Sequence, residues 1–222
     1  MPSLKITGKT KVFGTLTIPP IIIDNTSLLL KGEGQGGIID STGKNIINTF
    51  GNVTISTSVK KYGSGSIFFD GNEDYLQIPA SSGFNFELED FTIECWVNMT
   101  IGGEQYILDT RVSGDVNGIA FLISGQLGHG TGYYSYFSGA TIPSNQWTHV
   151  AIVRNNGTLK YYVNGIAAPN TYSLGNMTTN GCRIGAHHLY PNSNNFNGYI
   201  DDLRVSKGIA RYTSNFTPTE LN

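Results

Sequence analysis

Residues 142–165, IPSNQWTHVAIVRNNGTLKYYVNG, decide the fold. Trp147, His149, Ala151 and Val153 alternate with Thr148, Val150 and Ile152. Apolar groups therefore fall on both faces, the pattern of a central strand covered on each side. Asn156-Gly157 then supplies the positive φ that a two-residue hairpin turn requires. The return strand sets Leu159, Tyr161 and Val163 on one face and Lys160 and Tyr162 on the other, and Asn164-Gly165 offers a second turn of the same chemistry. Two strands and two tight turns form a meander, a building unit of all-β domains.

Outward from this hairpin, β-prone runs occur at 27–31, 53–55, 66–69, 75–78, 91–97, 105–110, 119–124, 133–137, 183–184 and 198–205. Residues 66–69 and 75–78 read as a second hairpin around Asp70-Gly71-Asn72-Glu73. Residues 32–48 read as a long loop anchored by the isoleucine pairs at 38–39 and 46–47. No run holds a helical period, and at most one helical turn is expected, near 207–210. So many strands suit two packed sheets, because a single sheet of that size curls or splits.

Composition agrees with this and excludes several functions. Glycine, at 28 residues, exceeds its usual share of about 7%, and charged residues, at 14%, fall below the usual ~25%. Many turns and a neutral polar surface follow. A net charge of -2 without any Lys/Arg-rich run offers no field for a phosphate backbone, so nucleic acid is not an expected partner. No apolar stretch reaches the ~20 residues that span a bilayer, so membrane insertion is not expected. The N-terminal residues lack a charged segment followed by an apolar core and a cleavage site, which points to synthesis in a cytoplasm without a secretion signal. Cys95 and Cys182 sit in strand-like runs and read as two small buried hydrophobes, with a single disulfide as the alternative.

Pro19-Pro20 marks a boundary, since a double proline cannot continue a sheet interior. Residues 1–20 read as an arm and residues 21–222 as the domain. An arm of that length cannot hold a core, so it must lie on the domain or on another chain.

Five pieces occur in order: GSIFFDG at 65–71 with Asp74-Tyr75 after it, FTIECWV at 91–97, QWTHVA at 146–151, YVNG at 162–165 and GYIDDLRV at 198–205. Together they resemble the laminin G-like members of the concanavalin A-like lectin/glucanase superfamily, over roughly residues 27–206. The resemblance implies an all-β jelly-roll sandwich of two curved antiparallel sheets. It also implies a possible structural calcium ion held by Asp side chains and loop carbonyls, for which Asp70, Asp74, Asp201 and Asp202 are the candidates. The competing reading of those four is ordinary turn and cap chemistry. The tail GIARYTSNFTP, 208–218, resembles the end of such domains in bacteriophage structural proteins. That implies a virion structural or decoration protein, on a capsid or a tail fibre. It would be made in the host cytoplasm, displayed on the virion surface, and joined through residues 1–20 to other virion proteins or, as a homo-oligomer, to sister subunits by strand pairing.

Glycosidases of the superfamily carry Glu-x-Asp-x-x-Glu on one strand, because protonating the leaving oxygen and attacking the sugar need two carboxyls at fixed separation. The nearest residues, Glu87, Glu89, Asp90 and Glu94, depart from that spacing, so no catalytic residue is assigned and a non-enzyme is expected. Binding of host or environmental glycans is the alternative function. Aromatic faces stack on sugar rings while amides bond hydroxyls, and Tyr133, Tyr134, His187, His188, Tyr190, Asn192 and Asn194 are the candidates. Tyr133 and Tyr134, alternating on a strand, could instead be one core ring and one surface ring. His187 and His188, as neighbours on a strand, would point to opposite faces and so read as surface histidines rather than joint ligands of a metal. Tyr212 and Phe216 either pin the tail across the sandwich or meet a neighbouring subunit.

Overall fold

The computed structural model describes residues 24–33, 37–100, 102–111, 117–129, 133–179 and 181–221, and the expected arm at 1–20 lies outside them. The hairpin forms as read. β11 (Thr148–Asn155) and β12 (Thr158–Val163) pair antiparallel from Asn155↔Thr158 to Val150↔Val163. Asn156 and Gly157 close it at φ 50° and 78°, and Asn164 and Gly165, at 48° and 76°, turn the chain into β13 (Ile166–Ala167). Trp147 precedes β11 and is only half-buried, while the indole inside the fold is Trp96.

The described strands form two antiparallel sheets, the jelly-roll sandwich expected from the sequence. The nine-stranded sheet runs β13-β12-β11-β6-β16-β4-β3, with β6 at Phe91–Met99, β16 at Asn197–Lys207, β4 at Ser66–Asp70 and β3 at Thr54–Ser56. Beside this path, β1 (Thr26–Leu30) pairs with β16 and β14 (Tyr172–Ser173) with β12. The seven-stranded sheet runs β10-β9-β8-β7-β15-β5-β2. Its strands are β10 (Tyr133–Tyr136), β9 (Gln126–His129), β8 (Ile119–Leu122), β7 (Tyr106–Asp109), β15 (Cys182–Ile184), β5 (Tyr75–Ile78) and β2 (Asn48–Phe50).

Alternate residues of both sheets meet in one core that includes Leu28, Phe69, Phe91, Ile93, Phe121, Val150, Ile152, Tyr161, Ile184 and Val205. Each such side chain stabilises the fold by about 1.5–3 kcal/mol relative to exposure. Tyr161 keeps its hydroxyl satisfied there by donating to the Leu122 carbonyl at 3.2 Å. Cys95 and Cys182 are free thiols within this core, as expected of small hydrophobes, and burial raises both pKa values.

Two local expectations need correction. β4 and β5 do not form a hairpin, because β4 pairs with β16 and β3 whereas β5 pairs with β15 and β2. Residues 70–74 are a corner between the sheets, held by the Asp74 carboxylate accepting the N–H groups of Asp70 and Asn52. The helical turn near 207–210 is also absent. Gly208, at φ 79°, turns the chain onto the outer face of the nine-stranded sheet, and the single helical turn among the described residues is a 3-10 turn at Ser82–Phe84.

The tail is pinned across its own sheet. Ala210, Tyr212 and Phe216 pack on Ala151, Val153 and Tyr162, with the Tyr212 and Phe216 rings stacked 3.5 Å apart. The Phe216 N–H donates to the Gly165 carbonyl at 3.0 Å, and the Leu221 N–H to Asp202 Oδ2 at 2.7 Å. The start of the described chain is tied to the end of β16: the Asn25 amide donates to the Lys207 carbonyl, and the Lys207 N–H to that of Asn25. Lys207 pairs with Phe91, so this tie lies at the first residue of β6, and Asn197 meets Thr100 just beyond its last.

Candidate functional site

The registers of the seven-stranded sheet align one row across it. Asn48 faces Gln77, Gln77 faces Arg183, Arg183 faces Asp109, Asp109 faces Ala120, Ala120 faces Gly128 and Gly128 faces Tyr134. Their strand neighbours Leu76, Ile78, Leu108, Phe121 and Ile184 enter the core, so the row belongs to the outer face.

Asp109 is the hub of this face. Its Oδ1 accepts from the Arg111 backbone N–H and Nε, and its Oδ2 from Arg111 Nη2, each at 2.9 Å. Oδ2 also accepts from the His188 backbone N–H at 3.1 Å and stands 3.2 Å from His188 Nδ1. Asp109 and Arg111 are both almost wholly buried, so their charges neutralise each other without water. Burial opposes ionisation of Asp109, but the His188 and Arg111 hydrogen bonds outweigh it and hold the carboxyl well below the ordinary range.

Residues 185–196 fold over this hub as a loop. Arg183 Nη1 donates to the carbonyls of His187 and His188, and the buried Asn195 amide donates to the Pro191 carbonyl. His187 and His188 lie beyond the end of β15, so the opposite-face rule for a strand does not apply to them. Their rings stack at 4.5 Å, which corrects the expectation that they point to opposite faces, and both remain partly exposed. The His187 ring also meets the Tyr106 edge at 4.9 Å and the exposed Tyr190 at 5.2 Å. Asn192 and Asn194 are exposed on the same loop. A second aromatic pair, Phe50 stacked on Tyr75 at 4.5 Å, lies across Arg183, whose guanidinium sits 5.0 Å from the Tyr75 ring. Tyr133 and Tyr134, opposite His129 and Gly128, belong to the edge strand β10, three strand spacings or about 14 Å from β7. The structure thus gathers His187, His188, Tyr190, Asn192 and Asn194 on one loop and leaves Tyr133 and Tyr134 at the far edge of the sheet.

His187 Nδ1 accepts the backbone N–H groups of Leu189 and Tyr190, at 2.9 and 3.2 Å, and so acts as the loop's internal cap. Burial lowers its pKa to about 4, with the Asp109 charge opposing. The neutral ring is therefore favoured in the fold, and the stability it contributes is lost as pH falls from about 6.5 toward 4. NMR titration of the four histidines is expected to show the His187 midpoint near 4, and a midpoint above 6 would refute the capped loop.

Asp109, His187 and His188 also bring three ligand atoms within 4.8 Å of one another, the one such group among the described residues. The group is otherwise committed, however: both Asp109 oxygens accept N–H groups, Arg111 faces the carboxylate, and His187 Nδ1 caps the loop. The donor set does not fit an ion. Asp70, Asp74, Asp201 and Asp202 do not converge either. Asp74 caps the sheet corner, Asp201 Oδ2 accepts from the Lys61 and Tyr62 N–H groups, and Asp202 holds the tail, its pKa pushed up to about 6 by burial. As a set they do not fit one shared calcium ion.

The acidic run is scattered as well. Glu89 faces Lys207 at 3.2 Å, and Asp90 accepts the Asn156 N–H. Glu87 is exposed, whereas Glu94 lies wholly buried under the tail. Sequence reasoning missed Asp109, Arg111 and Arg183, and also Phe50, Tyr75 and Tyr106. Asp109-x-Arg111 at a strand end was the one local signal, and Arg183 reaches the site only through register.

Two antiparallel sheets with an aromatic loop on the outer face of one define a lectin-like jelly-roll domain. The chain belongs to a laminin G family of the concanavalin A-like lectin/glucanases superfamily, whose model matches residues 70–210. No curated protein sequence matches it. Among solved structures it is similar to domain 4 of AbnA, an extracellular arabinanase from Geobacillus stearothermophilus in complex with arabinotriose, at 20% identity and TM-score 0.58, covering 77% of this chain and 87% of that one. It is similar to the binding domain of Paraclostridial Mosquitocidal Protein 1, at 18% identity and TM-score 0.60, covering 83% of this chain and 49% of that one. It is also similar to the botulinum neurotoxin serotype D binding domain, at 15% identity and TM-score 0.60, covering 84% of this chain and 50% of that one. The chain spans about half of the two toxin domains, and at these identities the likeness is one of fold.

Proposed function

We propose that the chain is a non-enzymatic glycan-contacting domain, displayed on a bacteriophage particle as a structural or decoration protein. The observation that carries the glycan reading is the ring group of Tyr190, His187 and His188, mounted over the buried Asp109–Arg111 hub. A rigid aromatic surface edged by the Asn192 and Asn194 amides suits a ring with apolar faces and polar rims, which is a sugar. The arabinotriose complex of the similar arabinanase domain supports the same ligand class. The burial of Glu94 and the scatter of Glu87, Glu89 and Asp90 support binding without hydrolysis. The virion setting rests on the resemblance of the tail at 208–218 to phage structural proteins.

A glycan array followed by calorimetry tests the binding. Tyr190→Ala is expected to weaken the best ligand by about 3- to 10-fold, the share of one stacked ring, and silence of the unmutated protein across a broad array would remove the glycan reading. Deleting residues 1–20 is expected to leave a folded domain that no longer joins particles. Retained incorporation would remove the proposed role of the arm.

A further inference from the structure

Among the described residues, the strands of the seven-stranded sheet carry one carboxylate, Asp109, and one guanidinium, Arg183. Arg111 neutralises Asp109 through three hydrogen bonds. No ion pair joins Arg183 to a carboxylate among the described residues. Arg183 Nη1 is committed to the His187 and His188 carbonyls, its Nε is shielded from solvent, and among the described residues its Nη2 donates to no acceptor. A guanidinium nitrogen with unmet N–H groups receives an oxyanion through a charge-assisted hydrogen bond.

The surroundings of Arg183 form a patch of their own on the outer face of the sheet, apart from the Tyr190 rings. In the same row lie Gln77, partly exposed, and Asn48, exposed. In the next row Phe50 and Tyr75 stack nearly parallel, 8° between planes, with Phe50 exposed at the sheet edge and the guanidinium over Tyr75. A ring platform, two amides and one unpaired cation are therefore presented together. The platform and amides suit a sugar ring, and the cation suits a carboxylate attached to that ring.

We infer that this patch selects carboxylate-bearing sugars, with Arg183 binding the carboxylate and Tyr75 with Phe50 supporting the ring. This rests on the glycan reading above and names its ligand class. Discrimination comes from Arg183, because a neutral sugar leaves its Nη2 edge without an acceptor.

The test compares a uronic-acid tetrasaccharide with the same tetrasaccharide after reduction of its carboxyl groups to primary alcohols, by calorimetry on the full chain. The acidic ligand is expected to bind about tenfold more tightly at low salt, the size of one charge-assisted hydrogen bond, with the ratio shrinking as salt rises. In Arg183→Gln, which removes the charge and the Nη donors while keeping a polar side chain, the ratio is expected to fall near one. The His187 titration reports whether the loop is intact in that variant. Equal affinities in the unmutated protein, or a preference that survives Arg183→Gln, would overturn the inference while leaving glycan binding in place. If neither tetrasaccharide binds but the array yields a neutral ligand, the inference fails alone. Silence in both assays removes the two together. Should Arg183→Gln not fold, the pair of ligands and the salt series on the unmutated protein still decide the matter.

Discussion

Glu94→Ala is expected to destabilise the fold by about 3–5 kcal/mol, because it leaves a buried charge without its partner. Glu94 is fully buried on the outer side of β6. Its Oε1 accepts from Arg204 Nε at 2.9 Å and Nη2 at 2.6 Å. Its Oε2 accepts from the Tyr212 hydroxyl at 2.8 Å and stands 3.2 Å from His149 Nε2. Burial raises the cost of the charge, yet the His149 hydrogen bond and the Arg204 charge outweigh it and lower the pKa. Without the carboxylate, Arg204 is stranded and Tyr212 loses its acceptor, so the tail should loosen as well. Urea denaturation measures the first effect, and tryptic cleavage after Arg211 the second. A loss below about 1 kcal/mol would mean that the network behaves as an exposed ion pair and that the tail is not held through Glu94.

The second large effect is expected at Asp109. Asp109→Ala leaves Arg111, 1% exposed, without a counterion, at a cost again of about 3–5 kcal/mol. It also removes the acceptor of the His188 backbone N–H, so the loop that carries Tyr190 loses its anchor. The variant should therefore lose glycan binding. Loss of the Asp109 charge alone would lower the His187 pKa further, so a midpoint that moves up from about 4 toward the ordinary value would report release of the ring from burial as the loop opens. Because the Asp109 pKa is depressed in the fold, the stability it contributes is present above about pH 4 and is lost as pH falls below that. A variant with unchanged melting temperature and binding would show that the hub supports neither the sheet nor the loop.

These two clusters separate what the sequence reveals from what it hides. Alternation in residues 148–163 and the Asn-Gly turns gave the meander, because period and turn chemistry are local. The same local signals failed at residues 66–78, where Asp-Gly-Asn-Glu between two strands is equally compatible with a hairpin and with a corner. The choice was made by Asn52, a distant acceptor-seeking N–H that Asp74 satisfies. His187 and His188 were misread for a related reason: the opposite-face rule holds only while a strand continues, and β15 stops at Ile184. Asp109 and Arg183 stand beside each other through pairing of β7 with β15, a register that neither strand encodes alone. Tyr190, Asn192 and Asn194 were legible because a loop rich in aromatics and amides advertises itself by composition. Glu94 was visible only as an acid in an apolar run. Its partners come from three other segments, so its role is a property of the assembled sheet.

The tie between Asn25 and Lys207 gives the domain a direction. It sits at the first residue of β6, whereas Asn197, which closes the loop of His187 and Tyr190, meets Thr100 just beyond the last. Nine residues at about 3.4 Å each put roughly 30 Å between the two ends. Whatever holds the chain ahead of Asp24 therefore grips the module at its heel, and the aromatic loop becomes its toe. If a particle anchors the heel, the loop of His187 and Tyr190 points away from the anchor, and sister copies planted side by side would present these ends as a single brush.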